Sequence, residues 1–392
     1  MQYPEDATYM RRALELARRG LGRTSPNPAV GAVIVRDGRV VGAGYHQRAG
    51  TPHAEVHALR AAGAAAKGAT LYVTLEPCCH YGRTPPCTEA IIAAGIRRVV
   101  AAMADPNPRV AGGGFQALRQ AGIEVATGLL AGEARRLNEA FIKYITTGQP
   151  WVTLKMALTL DGKIATRTGA ARWITGPAAR QKAHELRDTH DAILVGIGTV
   201  LADDPQLTTR LPGGSGRDAV RVILDSRLRL PLTAQVINPA SPAPALVAAT
   251  VAAPEEARRQ LAARGVEVMI LPAQEGRVAW QPLLAELARR QITSILVEGG
   301  AGVNATALAA GVVDKVVAFI APKIFGGSNA PGPVGGEGVA LPEQAWQLEQ
   351  LEVEPCGADI MLTGYIKEVI PAEAKQEMRE QAGFNQEPST QL

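Results

Sequence analysis

The chain has 392 residues, of which 46% are hydrophobic and 4% aromatic, and its formal net charge is +4. This length favours two domains, since a single core stops growing near about 250–300 residues. The small, dispersed charge does not call for a nucleic-acid partner, and no apolar run reaches the roughly 18 residues of a membrane helix. Residues 1–10 lack the charged-then-apolar plan of a signal peptide. With few, clustered cysteines, the composition predicts a cytoplasmic protein.

The first 150 residues alternate helical and strand patterns. Residues 6–20 predict an amphipathic helix, and residues 29–44 a hairpin with Asp37-Gly38 as its turn. Further predicted elements are helix 53–66, strand 69–75, helix 87–94, strand 97–103, helix 112–121 and one helix over 132–148. Alternating strands and helices indicate a layered α/β domain. The best candidate for its end is Gly148-Gln149-Pro150.

The clearest chemistry lies in His53-Ala54-Glu55 and in the later Pro77-Cys78 and Cys87. One imidazole and two thiolates can hold Zn²⁺ in three tetrahedral positions and leave the fourth to water. Bound zinc lowers the pKa of that water to about 7, and Glu55, which is not needed as a ligand, is free to carry protons. H-x-E followed by P-C and a second cysteine is typical of zinc hydrolytic deaminases. Eight residues separate the two cysteines here, whereas the usual pattern has two.

Other interpretations of these residues are open. Cysteines in a long chain are commonly buried, soft hydrophobes, although three of the four here fall within ten residues. Cys87 opens a predicted helix, where the dipole favours a thiolate. Cys79 and His80 share the loop of Cys78, and either one is an alternative ligand to Cys78. His57, one helical turn after His53, is another alternative.

A second α/β pattern begins with a predicted strand at 151–162 and continues to about residue 368. Its buried strands are short apolar runs at 192–196, 221–225, 245–250, 294–298 and 315–321. Glycine and proline at 211–217 and 326–338 predict two loops, the second long enough to suggest a function. The predicted division is a first domain at 1–148, a second at 149–370 and a disordered tail at 371–392.

The sharpest element of the second half is the glycine turn Glu298-Gly299-Gly300-Ala301-Gly302, between a predicted strand and a helix. Its glycines allow close approach to the backbone, and a helix N-terminus suits the phosphates of a dinucleotide. The pattern matches a relaxed dinucleotide fingerprint, but it lies late in the domain, and the next strand has no acidic residue for a ribose. A plain tight turn explains it equally well.

Two further stretches carry polar groups at strand ends. Lys155 and Asp161 lie on the first strand and its exit, and Asp203-Asp204 form a carboxylate pair in a predicted loop after another strand. By composition these are ordinary turns and caps. Loops at strand ends are nevertheless where α/β enzymes bind their ligands.

Over residues 5–368 the chain resembles the bifunctional deaminase–reductases of riboflavin biosynthesis. The stretches that carry the resemblance are P-N-P-A-V-G-A-V-I-V, G-Y-H-Q-R-A-G-T-P-H-A-E-V-H-A-L, Y-V-T-L-E-P-C-C-H-Y-G-R-T-P-P-C, D-P-N-P-R-V-A-G-G-G, L-T-L-D-G-K-I-A, W-I-T-G-P-A-A-R, T-V-L-A-D-D-P-Q-L-T-T-R and V-E-G-G. The eight-residue gap between the cysteines is a feature of that family. The departure from the usual two-residue spacing therefore supports the resemblance. The resemblance leads us to expect serine at the position of Cys79, which leaves Cys78 as the implied ligand.

The resemblance implies an α/β protein with a cytidine-deaminase-like α/β/α layered domain followed by a dihydrofolate-reductase-like α/β domain. It implies deamination of 2,5-diamino-6-ribosylamino-4(3H)-pyrimidinone 5′-phosphate, with Glu55 carrying protons. NADPH-dependent reduction of the ribosyl group of 5-amino-6-(5-phosphoribosylamino)uracil to ribityl would follow. Zn²⁺ and NADPH are the implied cofactors, and a homo-oligomer, dimer or tetramer, is expected. Asn27 and loop 80–86 are expected to line the pyrimidine pocket.

In the second half the resemblance implies roles for individual residues. Cofactor contacts are expected at Ala157, Trp173, Thr199, Asp203, Ser226, Gly300, Ala301, Gly302, Val303, Asn304, Ala305 and Thr306. Substrate contacts are expected at Ala171, Arg187, Leu207, Arg210 and Glu298. Arg187 and Arg210 suit a phosphate clamp, because guanidinium binds phosphate bidentately; the alternative for each is a surface ion pair. Lys155 and Asp203 are candidates for polarising or protonating the sugar, and the alternative for Lys155 is an ion pair with Asp161.

Two rival functions share part of this pattern. A nucleic-acid or nucleoside deaminase with an accessory dinucleotide-binding domain would have the same zinc residues. A zinc-stabilised binding module would keep the metal without catalysis. Neither rival requires a phosphate clamp in the second domain.

Overall fold

Two β-sheets, one in each half of the chain, organise the fold. The computed structural model describes residues 5–82, 85–108, 110–214, 216–237 and 241–367, so the predicted tail at 371–392 lies outside the described residues. The elements of the first half are α1 (Asp6–Arg18), β1 (Gly31–Arg36), β2 (Arg39–Tyr45), α2 (Ala54–Ala62), β3 (Thr70–Val73), α3 (Cys87–Ala93), β4 (Arg98–Ala101), α4 (Gly113–Gln120), β5 (Glu124–Thr127), α5 (Ala131–Leu137) and α6 (Glu139–Thr147).

The first sheet is mixed, in the order β2-β1-β3-β4-β5. Strands β3, β4 and β5 run parallel, and β1 is antiparallel to both of its neighbours. The predicted hairpin is confirmed: Asp37 and Gly38 both have positive φ, 50° and 70°, as a two-residue primed turn requires. At Gly31 a Cβ would lie 2.0 Å from the carbonyl oxygen of Ala13, so only glycine lets α1 approach β1 this closely.

The prediction of one helix over 132–148 is wrong, because the chain breaks at Asn138 into α5 and α6. The side chain of Asn138 is buried and pairs with the backbone of Ala29. Its Oδ1 accepts the Ala29 N–H at 2.8 Å, and its Nδ2 donates to the Ala29 carbonyl at 3.0 Å. These two bonds, made to a residue remote in sequence, hold Asn138 at φ −113°, outside helical geometry.

Asn138→Ala is expected to lower the free energy of unfolding of the first half by about 2–3 kcal/mol. The change leaves both polar groups of Ala29 buried without their partner, and each such loss costs about 1–3 kcal/mol. Urea denaturation followed by circular dichroism measures the effect. The exposed Gln120→Ala is the control, expected to change stability by less than about 0.5 kcal/mol; equal stabilities would contradict the structural role of Asn138.

The second half is built on a nine-stranded sheet in the order β10-β9-β8-β7-β13-β6-β14-β16-β15. Its elements are β6 (Trp151–Thr159), α7 (Pro177–Thr189), β7 (Ala192–Gly196), α8 (Ile197–Asp203), β8 (Val220–Leu224), β9 (Ala245–Ala249), α9 (Glu255–Ala263), β10 (Glu267–Ile270), β11 (Ala273–Gln274), β12 (Arg277–Val278), α10 (Trp280–Arg289), β13 (Ser294–Val297), α11 (Ala301–Ala309), β14 (Lys315–Ala321), β15 (Leu348–Cys356) and β16 (Asp359–Ile366).

The strands from β10 to β14 in this sheet are parallel, whereas β16 is antiparallel to both β14 and β15. The five apolar runs predicted as buried strands are confirmed as β7, β8, β9, β13 and β14. The antiparallel pair at the edge was not predicted. Its outer strand β15 is mostly exposed and rich in glutamate, so it lacks the apolar run of a buried strand.

The two halves contact each other through ion pairs. Lys143 of α6 binds Asp314 at 2.7 Å, and Lys315 binds Glu139 at 2.8 Å. On another face, Arg23 binds Asp188 at the end of α7 at 2.9 Å. The loop that carries Asn27 therefore packs against the helix that carries Arg187. In the part of the chain that the structure describes, no helix has the length and apolar character needed to cross a bilayer.

A candidate zinc centre and a candidate reductase cleft

Three metal-binding side chains meet at one edge of the first sheet. His53 is the residue before α2, Cys78 lies in the loop after β3, and Cys87 is the first residue of α3. The Nδ1 atom of His53 is 3.2 Å from the Cys87 sulfur and 3.5 Å from the Cys78 sulfur, and all three donors lie within 4.8 Å of one another. Zinc bonds of about 2.0–2.3 Å place tetrahedral donors about 3.5 Å apart, so this set fits Zn²⁺.

The alternative ligands lie apart from this group. Among the described residues, the cluster of donors close enough to share an ion consists of His53, Cys78 and Cys87. The Cys79 sulfur instead lies 3.0 Å from where a Cβ of Gly113 would be, at the start of α4. The predicted helix start at Cys87 is confirmed. The sulfur of Cys78 accepts the Cys87 thiol and lies beside His53, and these contacts lower the pKa of Cys78 to about 4.

Glu55 lies in the first turn of α2 with its carboxyl buried beside the metal residues. Its Oε2 atom has no hydrogen-bond partner in the described part of the chain, and the carboxyl contacts the thiol of Cys87. Burial raises the pKa of Glu55 to about 7. A carboxyl group in this position can take a proton and return it near neutral pH.

A histidine that sequence reasoning missed connects Asn27 to this centre. The Nδ2 atom of Asn27 lies 3.1 Å from Nε2 of His46, whose Nδ1 faces the Pro52 carbonyl at 3.2 Å. The His46 ring meets His53 edge-on with 5.1 Å between ring centres, and burial lowers its pKa to about 4. Neutral His46 therefore holds Asn27 beside the metal residues. Of the loop predicted to line this pocket, residues 83 and 84 lie outside the described residues.

Glu76 is a second residue that the sequence did not single out. Its buried carboxylate accepts N–H bonds from Asp105, Gly112 and Phe115 at 3.0–3.1 Å. Because Glu76 precedes Pro77-Cys78, these bonds fix the start of the loop that carries Cys78 against segment 105–115.

Two adjoining cavities, of about 820 and 860 Å³, open at the carboxyl ends of the parallel strands in the second half. The first contains eight of the residues expected to bind cofactor, namely Thr199, Asp203, Ser226, Gly300, Ala301, Gly302, Val303 and Thr306. The second contains Ala157, Trp173 and Asn304 together with the residues expected to bind substrate, namely Ala171, Arg187, Leu207, Arg210 and Glu298. Ala305 lines neither cavity and faces Gly336 instead.

A buried charge cluster forms the floor of the second cavity. Arg187 binds Glu298 through two parallel bonds of 2.5 and 2.9 Å, and Lys155 lies 3.5 Å from the same carboxylate. Burial opposes ionisation of Glu298, but Arg187 and Lys155 outweigh it and lower the pKa of Glu298 to about 2. The alternative pairing of Lys155 with Asp161 is wrong, since Asp161 accepts bonds from Thr159, Phe325 and Gly326.

The structure also separates the roles of the two predicted clamp arginines. Arg187 is committed to Glu298 and to the Thr208 carbonyl, so the surface ion pair considered for it is wrong. Arg210 has an exposed side chain that bonds to Thr208, while its backbone N–H donates to His184. Arg187 therefore stabilises the lining of the second cavity, whereas the exposed guanidinium of Arg210 is accessible to a ligand.

Asp203 and Asp204, the two carboxylates after β7, have different surroundings. The segment predicted as a loop is the short helix α8, which ends at Asp203, because the apolar residues Ile197 and Val200 bury one face of the turn. Asp204 has φ 40° and accepts the backbone N–H of Gln235 at 2.8 Å, a capping role. Asp203 lines both cavities.

A zinc-type donor set on a mixed sheet and a glycine turn on a parallel sheet define a two-domain deaminase–reductase. Residues 4–103 match the family described as the cytidine and deoxycytidylate deaminase zinc-binding region, and residues 150–362 match the RibD C-terminal domain. The chain belongs to the RibD family of riboflavin biosynthesis proteins.

Individual relatives match nearly the whole chain. The riboflavin biosynthesis protein RibD of Actinobacillus pleuropneumoniae is 46% identical over 357 residues, which are 91% of this chain and 94% of the relative. The solved RibD of Acinetobacter baumannii has a TM-score of 0.82 at 41% identity and covers 93% of this chain and 99% of its own. The Thermotoga maritima diaminohydroxyphosphoribosylaminopyrimidine deaminase/5-amino-6-(5-phosphoribosylamino)uracil reductase has a TM-score of 0.80 at 39% identity and covers 94% and 100%. The predicted fold class and resemblance are confirmed.

Cys78→Ser and Cys87→Ser are each expected to lose bound zinc. Residues that only orient a metal ligand are worth about 10–100-fold in metal affinity, so loss of a ligand should cost more than about 100-fold. Metal analysis of the purified chain after dialysis measures the result. Cys79→Ser is the matched control and should keep its zinc; equal loss in that variant would assign the third position to Cys79.

Proposed function

We propose that the chain catalyses two consecutive steps of riboflavin biosynthesis at two separate sites. The first half deaminates 2,5-diamino-6-ribosylamino-4(3H)-pyrimidinone 5′-phosphate, and the second half reduces the ribosyl group of 5-amino-6-(5-phosphoribosylamino)uracil to ribityl with NADPH. The observation that carries this proposal is the buried carboxyl of Glu55, whose Oε2 has no hydrogen-bond partner in the described chain, beside the three converging donors His53, Cys78 and Cys87. The same chain has a cleft that contains a buried arginine–glutamate–lysine cluster.

In the deaminase step His53, Cys78 and Cys87 would hold zinc, which when bound activates water for attack on the ring. Glu55 accepts one proton from that water and passes it to the ring nitrogen, and it then transfers the second proton of the water to the amino group, which departs as ammonia. Its place in the first turn of α2, two residues after His53, keeps the carboxyl beside the metal residues. Asn27, held by His46, is placed to bind and orient the pyrimidine.

In the reductase step the first cavity holds NADPH, which when bound supplies the hydride. The second cavity positions the sugar, with Arg210 offering its guanidinium to the substrate phosphate. Lys155 is held by Glu298 at the floor of this cavity, and we assign it to donate a proton or polarise the sugar. Asp203, which lines both cavities, is the second candidate for this proton.

The domain limits, assembly and compartment belong to the same proposal. We assign the domains to 1–148 and 149–370, which agrees with the end of α6 at Thr147 and the start of β6 at Trp151. A homo-oligomer, dimer or tetramer, is supported by apolar side chains on edge strand β15, where Leu351 is 56% and Val353 62% exposed. The four free cysteines favour the reducing cytoplasm.

An assay with the diaminopyrimidinone phosphate, with and without NADPH, tests the proposal. Ammonia should be released without NADPH, and NADPH should be oxidised only after deamination. Ammonia release from cytidine or RNA but not from this substrate would support the nucleic-acid or nucleoside deaminase instead. A zinc-loaded chain that releases no ammonia from any of these would be the binding module.

A further inference from the structure

The segment 20–27, between α1 and β1, ends at Asn27, and both of its ends contact His46 of the first half. The Nδ2 atom of Asn27 lies 3.1 Å from Nε2 of His46, and a Cβ at Gly20 would lie 2.7 Å from the His46 carbonyl oxygen. The N–H groups of Arg23 and Asn27 each donate to a carbonyl three residues earlier, at 3.0 and 2.8 Å. The position of Asn27 therefore depends on what holds the middle of this segment.

The middle of segment 20–27 contacts the second half at the end of α7. Nη2 of Arg23 donates to both carboxylate oxygens of Asp188 at 2.9 and 3.0 Å, and Nη1 donates to the Asp188 backbone carbonyl at 3.1 Å. Gly22 has φ 67°, and a Cβ there would lie 2.1 Å from the same carbonyl oxygen, so only glycine allows this close approach. Because an arginine bonded to both oxygens of a carboxylate has a fixed geometry, this contact sets the path of the segment.

Asp188 also contacts the segment that follows Arg210 in the second half. Its Oδ1 atom accepts the backbone N–H of Arg217 at 2.7 Å. The next residue, Asp218, accepts the backbone N–H of Thr209 at 2.6 Å, beside Arg210. The Asp188 carboxylate is therefore bonded to both halves of the chain, and on each side the bonded segment leads to a residue expected to bind substrate.

We propose that Arg23 and Asp188 are positioning residues that place Asn27 for the pyrimidine, so that the first half binds its substrate fully only when the second half holds segment 20–27. The metal residues and Glu55 lie outside this segment, at the starts of α2 and α3 and in the loop after β3. Loss of the contact should therefore weaken substrate binding and leave the zinc chemistry intact. This inference rests on the proposed function, in which Asn27 orients the pyrimidine.

Steady-state ammonia release from the diaminopyrimidinone phosphate tests the inference with Arg23→Gln in the full chain. KM should rise about 10-fold, which corresponds to about one hydrogen bond to the substrate. The value of kcat should stay within about threefold and the zinc content should not change, because the loss concerns binding common to the ground state and the transition state. Arg23→Lys keeps the charge and can make one bond to Asp188, and its KM should stay within about threefold of the wild-type value.

Lys315→Gln is the matched control, because it also removes a cation that joins the two halves. Lys315 binds Glu139 at 2.8 Å with side chains 20% and 22% exposed, close to the 31% and 16% of Arg23 and Asp188. Its KM for ammonia release should stay within about twofold. Asp188→Ala should raise this KM as Arg23→Gln does, and should also raise the KM of the deaminated substrate in NADPH oxidation about 10-fold, which Arg23→Gln should leave unchanged.

Hydrogen exchange followed by mass spectrometry reports on segment 20–27 without any substrate. Peptides that cover this segment should exchange at least about 10-fold faster in Arg23→Gln than in the wild-type chain, because the exchange rate reports local opening. Lys315→Gln should exchange there at the wild-type rate.

Three kinetic outcomes would overturn the inference. Equal rises in KM in Arg23→Gln and Lys315→Gln would assign the effect to a general loosening between the halves. An unchanged KM in Arg23→Gln would leave its contact without a role in binding, and a lower kcat with loss of zinc would place its effect on the metal centre. If the wild-type chain releases no ammonia from this substrate, the proposed deaminase function is wrong. Hydrogen exchange then decides alone: faster exchange in Arg23→Gln supports the positioning of the segment, and equal rates overturn it.

Discussion

Glu55→Gln is expected to abolish ammonia release while zinc stays bound. The amide keeps the size and burial of the side chain but cannot take a proton from water, and general acid–base groups contribute about 10²–10⁴-fold to rate. His53, Cys78 and Cys87 are unchanged, so the metal content should equal that of the wild-type chain. Steady-state ammonia release and metal analysis on the same sample measure the two properties.

A second substitution and a second activity separate catalysis from folding in this experiment. Glu133→Gln changes an exposed glutamate on α5 and should leave ammonia release unaltered. NADPH oxidation with the already deaminated substrate should proceed normally in both variants, because the reductase cavities lie in the other half. Normal turnover in Glu55→Gln would show that another group carries the proton. Loss of zinc would assign Glu55 to the structure of the centre.

The convergence of His53, Cys78 and Cys87 could be predicted because zinc chemistry restricts the residue types and places them close in sequence. Cys87 begins a helix, and His53 directly precedes one, so the local apolar pattern fixes where each ligand emerges. Nothing local marks Glu76, whose three N–H partners come from a segment about thirty to forty residues later. His46 lies in G-Y-H-Q-R-A-G-T-P-H, one of the stretches that carry the family resemblance, and this stretch is the sequence feature that could have identified it.

The ion pair of Lys155 shows why the contacts in the second cavity could not be predicted from the sequence. Asp161 is the nearest acidic residue after Lys155 along the chain, but it lies beyond the end of β6 and binds the backbone at Phe325 and Gly326. Glu298 follows β13, which pairs with β6 in the sheet. The ion pair therefore depends on strand order, which the pattern of a single strand does not encode. The break at Asn138 has the same origin, since its partner Ala29 lies on a distant segment.

Glu298→Gln is expected to remove reductase activity and destabilise the second half by about 3–5 kcal/mol. Arg187 has only 14% of its side chain exposed, so without the carboxylate its charge is buried and uncompensated, which carries this cost. Lys155 also loses the group that holds it at the cavity floor, and in the proposed reductase step its misplacement should cost about 100-fold in rate. Denaturation followed by fluorescence reports this half selectively, because the four tryptophans are Trp151, Trp173, Trp280 and Trp346.

The size of the effect follows from burial and not from the loss of an ion pair as such. Glu256→Gln is the matched control, since it breaks an ion pair with Arg259 in which both side chains are more than 60% exposed. Exposed pairs contribute about 0.2–1 kcal/mol, so this variant should unfold close to the wild-type midpoint. Ammonia release should persist in both variants, because the zinc residues lie in the first half. Equal stability of Glu298→Gln and Glu256→Gln would mean that water or another group compensates Arg187, and the buried cluster would then have no structural role.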